Sequence, residues 1–290
     1  MSRRLCSTAA YPPALPAIAA YRLPDTRLPL PREPLAPSSW QDVLRGAWRH
    51  RVTGALAAAV HDGAMAATDE QRREAVAQHR TAALRVLFLE RELAAIVARL
   101  SRADVATRVL KGPACARLDY PDPALRSFHD IDLLVRADDI DRAATTMRAA
   151  GYRRTLAEPR PGFDRRFDKG MTLIPPAGYE LDVHRTFVLG PWGVLVDLDE
   201  LWRDNGEPVV VAGDTMAALS LPHRLLHACY HAALGDWPLR LGSLRDVAEL
   251  LRRMEVAGAP GSVQADTVRA IAARWGVEAV LAAGHWRNAA

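Results

Sequence analysis

The sequence predicts an α/β (α+β) protein in which a small mixed β-sheet core is flanked by N-terminal and C-terminal helical regions. Apolar residues recur at helical spacing up to Leu100 and again after Asp214, whereas several segments between them alternate apolar and polar residues with a period of two. The order strand, helix, strand, helix, hairpin in that middle stretch makes one sheet domain. Four segments follow: a proline-rich extended arm (1–38), an N-terminal helical region (39–101), the α/β core (102–212) and a C-terminal helical region (213–290).

Taken in order, Pro29, Pro31, Pro34 and Pro37 favour an extended chain that can drape over the body or contact a partner protein. Ser38 and Ser39 precede a helix with Trp40, Val43, Leu44 and Trp48 on its apolar stripe, and a second apolar stretch runs from Val52 to Val60. Thr68 with Gln71 three residues on marks the start of a long helix, whose buried face is drawn from Val76, Ala83, Leu84, Leu87, Phe88, Leu93, Ile96 and Leu100. Thr107 to Lys111 reads as a short strand, Gly112 to Leu118 as a helix or turn, and Ile131 to Val135 as a buried strand. Asp138 to Ala150 is an amphipathic helix ended by Gly151, and Met171 to Pro175 and Tyr179 to Thr186 are strands joined by a Pro-Pro-Ala-Gly turn. From Asp214 the chain turns helical, with Leu219, Leu225, Leu226 and Cys229 on one face, then Leu241 to Met254, Val263 to Trp275 and Val277 to Trp286.

With 290 residues, 49% apolar and 25% charged, the chain can bury a sizeable core. No apolar run approaches the roughly 18 residues that span a bilayer, so no membrane partner is expected. Arg3 and Arg4 open the chain as a secretory signal would, but Pro12, Pro13 and Pro16 interrupt any apolar region behind them. Cys6, Cys115 and Cys229 are odd in number and far apart, which excludes a disulfide framework or CxxC knuckle and predicts a reduced, cytoplasmic setting. The net charge of +4 is spread without a like-charge block, so nucleic acid is not the expected partner; an anionic nucleotide suits the balance. Of 38 basic side chains only Lys111 and Lys169 are lysine, so a compact ammonium is singled out at Lys111 among reactive neighbours.

The densest chemistry lies in Asp130-Ile131-Asp132. In a strand, residues two apart share a side, so Asp130 and Asp132 present paired carboxylates while Ile131 and Leu133 face the core. Two such acids repel unless a divalent cation sits between them, and hard oxygen ligands suit magnesium or manganese. Asp182 is the third acid: Leu181 and Val183 alternate with Glu180, Asp182 and His184, which gives that strand a polar face. Three carboxylates from adjacent strands can hold two metals.

The run LKGPACARLDYPDPALRSFHDIDLLV (110–135), the helix ending in AAGY, the strand YELDVH, and the later LLHACYHAAL with RLGSLRDVAELL resemble the uncharacterised nucleotidyltransferase-like family of the polymerase-β-type superfamily. The resemblance covers roughly residues 40 to 255 in order. It implies that Asp130, Asp132 and Asp182 bind Mg2+ or Mn2+, and that Asp182 helps deprotonate an acceptor hydroxyl. The superfamily's Gly-Ser pair, which holds nucleotide phosphates, is here Lys111-Gly112. Gly112 still permits close backbone approach and Lys111 can meet a phosphate directly.

Arg126, four residues before the acid pair, either clamps a phosphate or bridges to Asp122 or Asp130. His184 is either a base or phosphate donor, or an orienting partner for Asp182. His129 is expected to pack away from the acids. His223, His227 and His231, spaced by four, can in principle bind zinc, but without an HExxH glutamate they are read as a helix facing the cleft, with Trp237, Arg240, Arg245 and Asp246 on the same wall. The absence of GxSxG and GxxxxGK[ST] removes the serine-hydrolase and P-loop readings. The resemblance, with the three acids and Lys111, Gly112 and Arg126 as candidate phosphate holders, implies a metal-dependent, nucleotide-binding transferase that moves a nucleoside monophosphate, AMP as first choice and hence ATP-binding, from a nucleoside triphosphate to a small-molecule, peptide or protein acceptor. The alternative is a catalytically inactive binding or regulatory module on the same fold.

Overall fold

The computed structural model describes residues 11–24, 26–203, 205–235, 238–256 and 263–289. Its helices are α1 (Leu15–Ala19), α2 (Pro37–Arg49), α3 (Thr53–His61), α4 (Asp69–Arg102), α5 (Lys111–Leu118), α6 (Ile140–Ala149), α7 (Phe163–Arg166), α8 (Pro191–Val194), α9 (Leu221–Tyr230), α10 (Leu241–Val256), α11 (Val263–Trp275) and α12 (Glu278–Ala289). The strands are β1 (Thr107–Val109), β2 (Asp130–Val135), β3 (Arg153–Arg154), β4 (Gly170–Ile174), β5 (Glu180–His184), β6 (Glu207–Val211) and β7 (Asp214–Ala218).

All seven strands form one mixed sheet in the order β3-β4-β5-β2-β1-β7-β6. The central pair, β2 and β5, runs parallel, and β1 pairs antiparallel with β2. Alternation sorts each strand's residues between two cores. Ile131, Leu133, Leu181 and Val183 join Leu89, Leu93, Ile96 and Leu100 of α4 and Met147 of α6 on one face. Leu110 and Leu134 face the opposite way, into a core built from α9 to α12. Since Asp130 and Asp132 share the parity of Leu134, the acids stand on the face that the C-terminal helices cover.

A third core, around Trp40, Val43, Leu56 and Met65, ties α1, α2 and α3 together. It takes in Leu15 and Ile18, both fully buried, so the stretch around α1 is a packed element, whereas residues 26–36, with Pro29, Pro31 and Pro34, are non-helical and largely exposed as an extended arm would be; residues 1–10 lie outside the described chain. Pro16 falls in the first turn of α1, where no amide is needed for the helical ladder, and therefore does not break it. Helix α2 likewise starts at Pro37, so Ser38 and Ser39 lie inside the helix they were expected to precede.

The capping box of α4 forms as its sequence indicates: Gln71 N donates to Thr68 Oγ1 and Thr68 N to Gln71 Oε1, both at 3.2 Å. Its buried face is turned from the expected one. Ala75, Ala82, Leu89, Leu93, Ile96 and Leu100 are buried, whereas Val76, Leu84, Leu87 and Phe88 are exposed. Small side chains let the first half of the helix approach α3 closely, so alanine occupies the stripe where leucine was anticipated.

The sheet also continues past the predicted boundary at residue 212. Asp214 opens β7, not a helix, and the β6–β7 hairpin turns through Ala212 and Gly213, both at positive φ (52° and 90°). Two residues in that region make the tight turn that suits strand twist, but alanine in place of asparagine hides it from the sequence.

Candidate active site

Strands β2 and β5 pair in a register that sets Asp132 directly opposite Asp182 and Asp130 opposite Glu180. His184, two residues beyond Asp182, points to the same face, and its Nε2 lies 2.8 Å from Asp132 Oδ1. Thr172 on β4 is the cross-strand partner of Asp182 and donates its hydroxyl to Asp182 Oδ1. One ligand atom each from Asp132, Asp182 and His184 lies within 4.8 Å of the others. Two carboxylates and an imidazole suit a divalent cation such as Mn2+, Mg2+ or Zn2+. His184 Nδ1 is buried with no hydrogen-bond partner among the described residues, a cost that a site holding a charged ligand can offset. The residues present therefore fit a metal.

The third expected metal ligand, Asp130, is placed differently. Arg51 grips it as a fork, Nη1 to Oδ1 at 3.0 Å and Nη2 to Oδ2 at 2.9 Å. Lys111 Nζ lies 2.8 Å from Asp132 Oδ1. Both acids feel burial and, for Asp130, the neighbouring Asp132 carboxylate, which push their pKa up; Arg51 and Lys111 outweigh this at Asp130, and Lys111 with His184 outweigh it at Asp132, which is held well below the usual carboxylate range. Burial alone would pull the Lys111 ammonium down, but Asp132 and Asp130 raise it above its ordinary value, so Lys111, Asp130 and Asp132 are all charged.

Lys111 owes its position to backbone strain. Leu110 N donates to Asp132 O at 3.0 Å, which pins the end of β1 beside β2, and the chain then enters α5 with Lys111 at φ 27° and Gly112 at φ 22°. A Cβ on Gly112 would stand 3.2 Å from Phe128 Cγ, so this turn requires glycine both for its conformation and for the approach.

Arg126, the other expected phosphate ligand, is fully buried in an ion pair with Asp246: Nε to Oδ1 at 2.7 Å and Nη2 to Oδ2 at 2.8 Å. Tyr120 donates to the same Oδ1 at 2.7 Å. Of the two roles open from sequence, the salt bridge is the one observed; its partner is Asp246 on α10 and neither Asp122, which caps the 123–125 turn, nor Asp130. Arg245 is buried beside it and holds the end of α1 through the Ala19 carbonyl at 2.8 Å.

The three helix histidines do not converge. His223 accepts or donates to Ser220 Oγ at 2.8 Å and stacks on Trp275 at 5.9 Å. His227 and His231 line a cavity of about 10 Å³ with Lys111, Ser243 and Asp246, room for about one water. Burial first, and the Lys111 ammonium second, hold both rings well below the ordinary histidine pKa. Helix α9 does face the acid site, and among the described residues the only metal-competent group is Asp132, Asp182 and His184. His129 packs on Trp48 at 4.7 Å, away from the acids, and burial followed by Arg51 lowers its pKa to about 4. Trp237 lies outside the described residues.

Two contributors escaped the sequence reading. Thr172 sits between Met171 and Leu173, and that alternation marks it as facing the acids. Arg51 left no signal, because no spacing relates it to Asp130 seventy-nine residues away.

Paired carboxylates on adjacent strands of a mixed sheet, with helices packed on both faces, fit a nucleotidyltransferase fold. The chain belongs to the family described as uncharacterised nucleotidyltransferase, whose model matches residues 36–288. No curated protein matches the sequence. Among solved structures it is similar to the antibiotic-resistance factor ANT(2″)-Ia in solution (17% identity, TM-score 0.42, covering 71% of this chain and 97% of that one). It is also similar to crystalline ANT(2″)-Ia with adenylyl-2″-tobramycin (17%, 0.44, 66% and 98%). A third is an antigenic nucleotidyltransferase-like protein from Paracoccidioides brasiliensis (15%, 0.39, 67% and 92%). At such identities and scores these structures carry no argument about substrate. Among the described residues no helix is long and apolar enough to cross a membrane.

Proposed function

We propose that the protein is a metal-dependent nucleotidyltransferase that moves a nucleoside monophosphate, AMP in the first instance, from a nucleoside triphosphate to a hydroxyl, amine or phosphate of a small-molecule, peptide or protein acceptor. The observation that carries this reading is the cross-strand pairing of Asp132 with Asp182, with His184 on the same face and a ligand atom from each within 4.8 Å. Asp132, Asp182 and His184 would hold Mg2+ or Mn2+, which when bound supplies charge neutralisation for the phosphates and a lowered pKa for the attacking group.

The remaining work falls to side chains of the chain itself. Lys111, lifted into the site by the strained turn at Gly112, is placed to meet a phosphate oxygen once a cation neutralises Asp132. Asp182, oriented by the Thr172 hydroxyl, takes the proton of the acceptor as the acceptor atom bonds to the α-phosphorus and the α–β phosphoanhydride breaks, releasing pyrophosphate. His184 orients Asp132 through its Nε2.

A second reading, an inactive binding or regulatory module, is favoured by the lysine and arginine already seated on Asp132 and Asp130. One experiment separates the two: thermal melting and pyrophosphate release with each nucleoside triphosphate, with and without Mg2+, on wild type beside Asp182→Asn, a half-buried position that tolerates an isosteric change. A transferase gains about 2.7 kcal/mol of stability at a ligand concentration one hundred times Kd, in a Mg2+-dependent manner that the variant loses. Identical melting with every nucleotide, and no pyrophosphate, would establish the module.

A further inference from the structure

Arg51 is the one side chain from the N-terminal helical region that an ion pair joins to the acid pair among the described residues, and its backbone is held rigidly for the purpose. It occupies the corner between α2 and α3 at φ 61°, a conformation that a non-glycine residue adopts only when its surroundings impose it. On one side, Gly242 N donates to His50 O at 3.1 Å and Leu241 N to His50 Nδ1 at 3.3 Å, which fastens the corner to the start of α10. On the other, Gly54 lies so close to the 123–125 turn that a Cβ there would stand 2.1 Å from the Ala124 carbonyl oxygen. The guanidinium is thereby delivered to Asp130 in a bidentate geometry, the same fork that guanidinium groups offer to phosphate.

Charge decides what this side chain does when ligands arrive. Asp130, Asp132 and Asp182 against Lys111 and Arg51 leave one net negative charge, which attracts a cation and repels a triphosphate. One divalent cation turns the cluster to one net positive charge, and the balance then favours an anion. The ion pair is only partly solvated, with side-chain exposures of 12% and 18%, so Arg51 can exchange partners without crossing a dry interior.

We infer that a divalent cation held by Asp132, Asp182 and His184 also draws on Asp130, two residues away on the same strand face, in competition with Arg51, and that the arginine so released takes hold of a phosphate of the nucleotide. The inference rests on the transferase reading above and adds to it a nucleotide-binding residue outside the sheet core, together with an order of events in which the metal precedes the nucleotide.

The test is binding, not turnover. Mn2+ affinity is read from the free-ion electron paramagnetic resonance signal for wild type, Arg51→Gln and Arg51→Lys. Calorimetry then follows, in the presence of Mn2+, with a nucleoside triphosphate analogue carrying a methylene at the α,β bridge. Arg51→Gln is expected to bind Mn2+ about fivefold tighter, because a competing charge is gone. It should bind the analogue about 10- to 100-fold more weakly, because a charge-assisted fork to phosphate is lost. Arg51→Lys, which keeps the charge without the fork, should fall between, and circular dichroism melting shows that each variant is folded. A purely structural ion pair predicts the other pattern, with both affinities falling together or neither changing, and that result overturns the exchange. Wild type that binds the analogue no better than Arg51→Gln overturns the exchange alone. Wild type that binds Mn2+ but no analogue of any base overturns the transferase reading itself.

Discussion

Asp246→Asn is the sharpest test of how the loop that precedes β2 is held. Asp246 is 3% exposed, and it receives two hydrogen bonds from the equally buried Arg126 guanidinium and one from the Tyr120 hydroxyl. Asparagine keeps one acceptor oxygen but no charge, so the guanidinium is left in the interior without its counterion. Breaking a buried pair in this way costs about 3–5 kcal/mol. At about 2.1 cal/mol/K of unfolding entropy per residue, a chain of 290 residues has roughly 0.6 kcal/mol/K in all, and the melting temperature should fall by about 5–8 °C. Differential scanning calorimetry of the ligand-free protein reads this directly. The double replacement Arg126→Met with Asp246→Leu removes both charges at similar volume and should recover most of the loss. If Asp246→Asn melted within about 1 °C of wild type, or if its main effect were on nucleotide affinity, the structural assignment of Arg126 would be wrong and the phosphate-clamp reading would return.

Two further outcomes follow from local geometry. Gly54→Ala forces a methyl group against the backbone of Ala124 and Leu125, which cannot swing aside, and should lower the urea midpoint by an amount equivalent to about 1–3 kcal/mol; an unchanged midpoint would show that α3 is free to move. Acid should destabilise the fold well before the carboxylates titrate. His227 and His231 have folded pKa values well below the ordinary 6.5, so above that value neither folded nor unfolded chain is protonated and nothing is lost. Below it the unfolded chain takes up protons that the folded one refuses, and stability should decline by up to about 1.4 kcal/mol per pH unit for each ring; a flat stability profile from pH 7 to 5 would refute their burial as neutral imidazoles.

Much of the site was legible because it rests on short-range pattern. The alternation in Asp130-Ile131-Asp132-Leu133 and in Leu181-Asp182-Val183-His184 fixes which side chains share a face, and parallel pairing of those two strands then brings the acids together. Lys111-Gly112 was singled out differently, by the scarcity of lysine and by the family resemblance, and the strained turn it makes was not legible. What alternation cannot report is the partner that a long side chain reaches. Arg126 lies four residues from Asp130 in sequence, yet its counterion is 120 residues away on α10, and Arg51 arrives from the opposite end of the chain. The helical regions were legible in extent but less so in facing. In the first half of α4 the tertiary neighbours bury the alanine stripe of Ala75 and Ala82 and leave Val76 and Leu84 exposed, whereas the second half buries Leu93, Ile96 and Leu100 as the sequence indicates. Strand β6 carries a plain signal in Val209, Val210 and Val211, whereas β7 is hidden because Ala217 and Ala218 have little strand preference and neighbouring strands supply what the sequence lacks.

The length of α4 has a consequence for how the molecule comes apart. Thirty-four residues make a rod of roughly 50 Å, and its two halves serve different cores: Ala75 belongs to the cluster of α1 to α3, and Leu89 to Leu100 to the sheet. Packing against either core stabilises the one continuous helix, so loosening one cluster weakens a support of the other. The corner that presents Arg51 is in this way tied through α4 to the strands that present the acids.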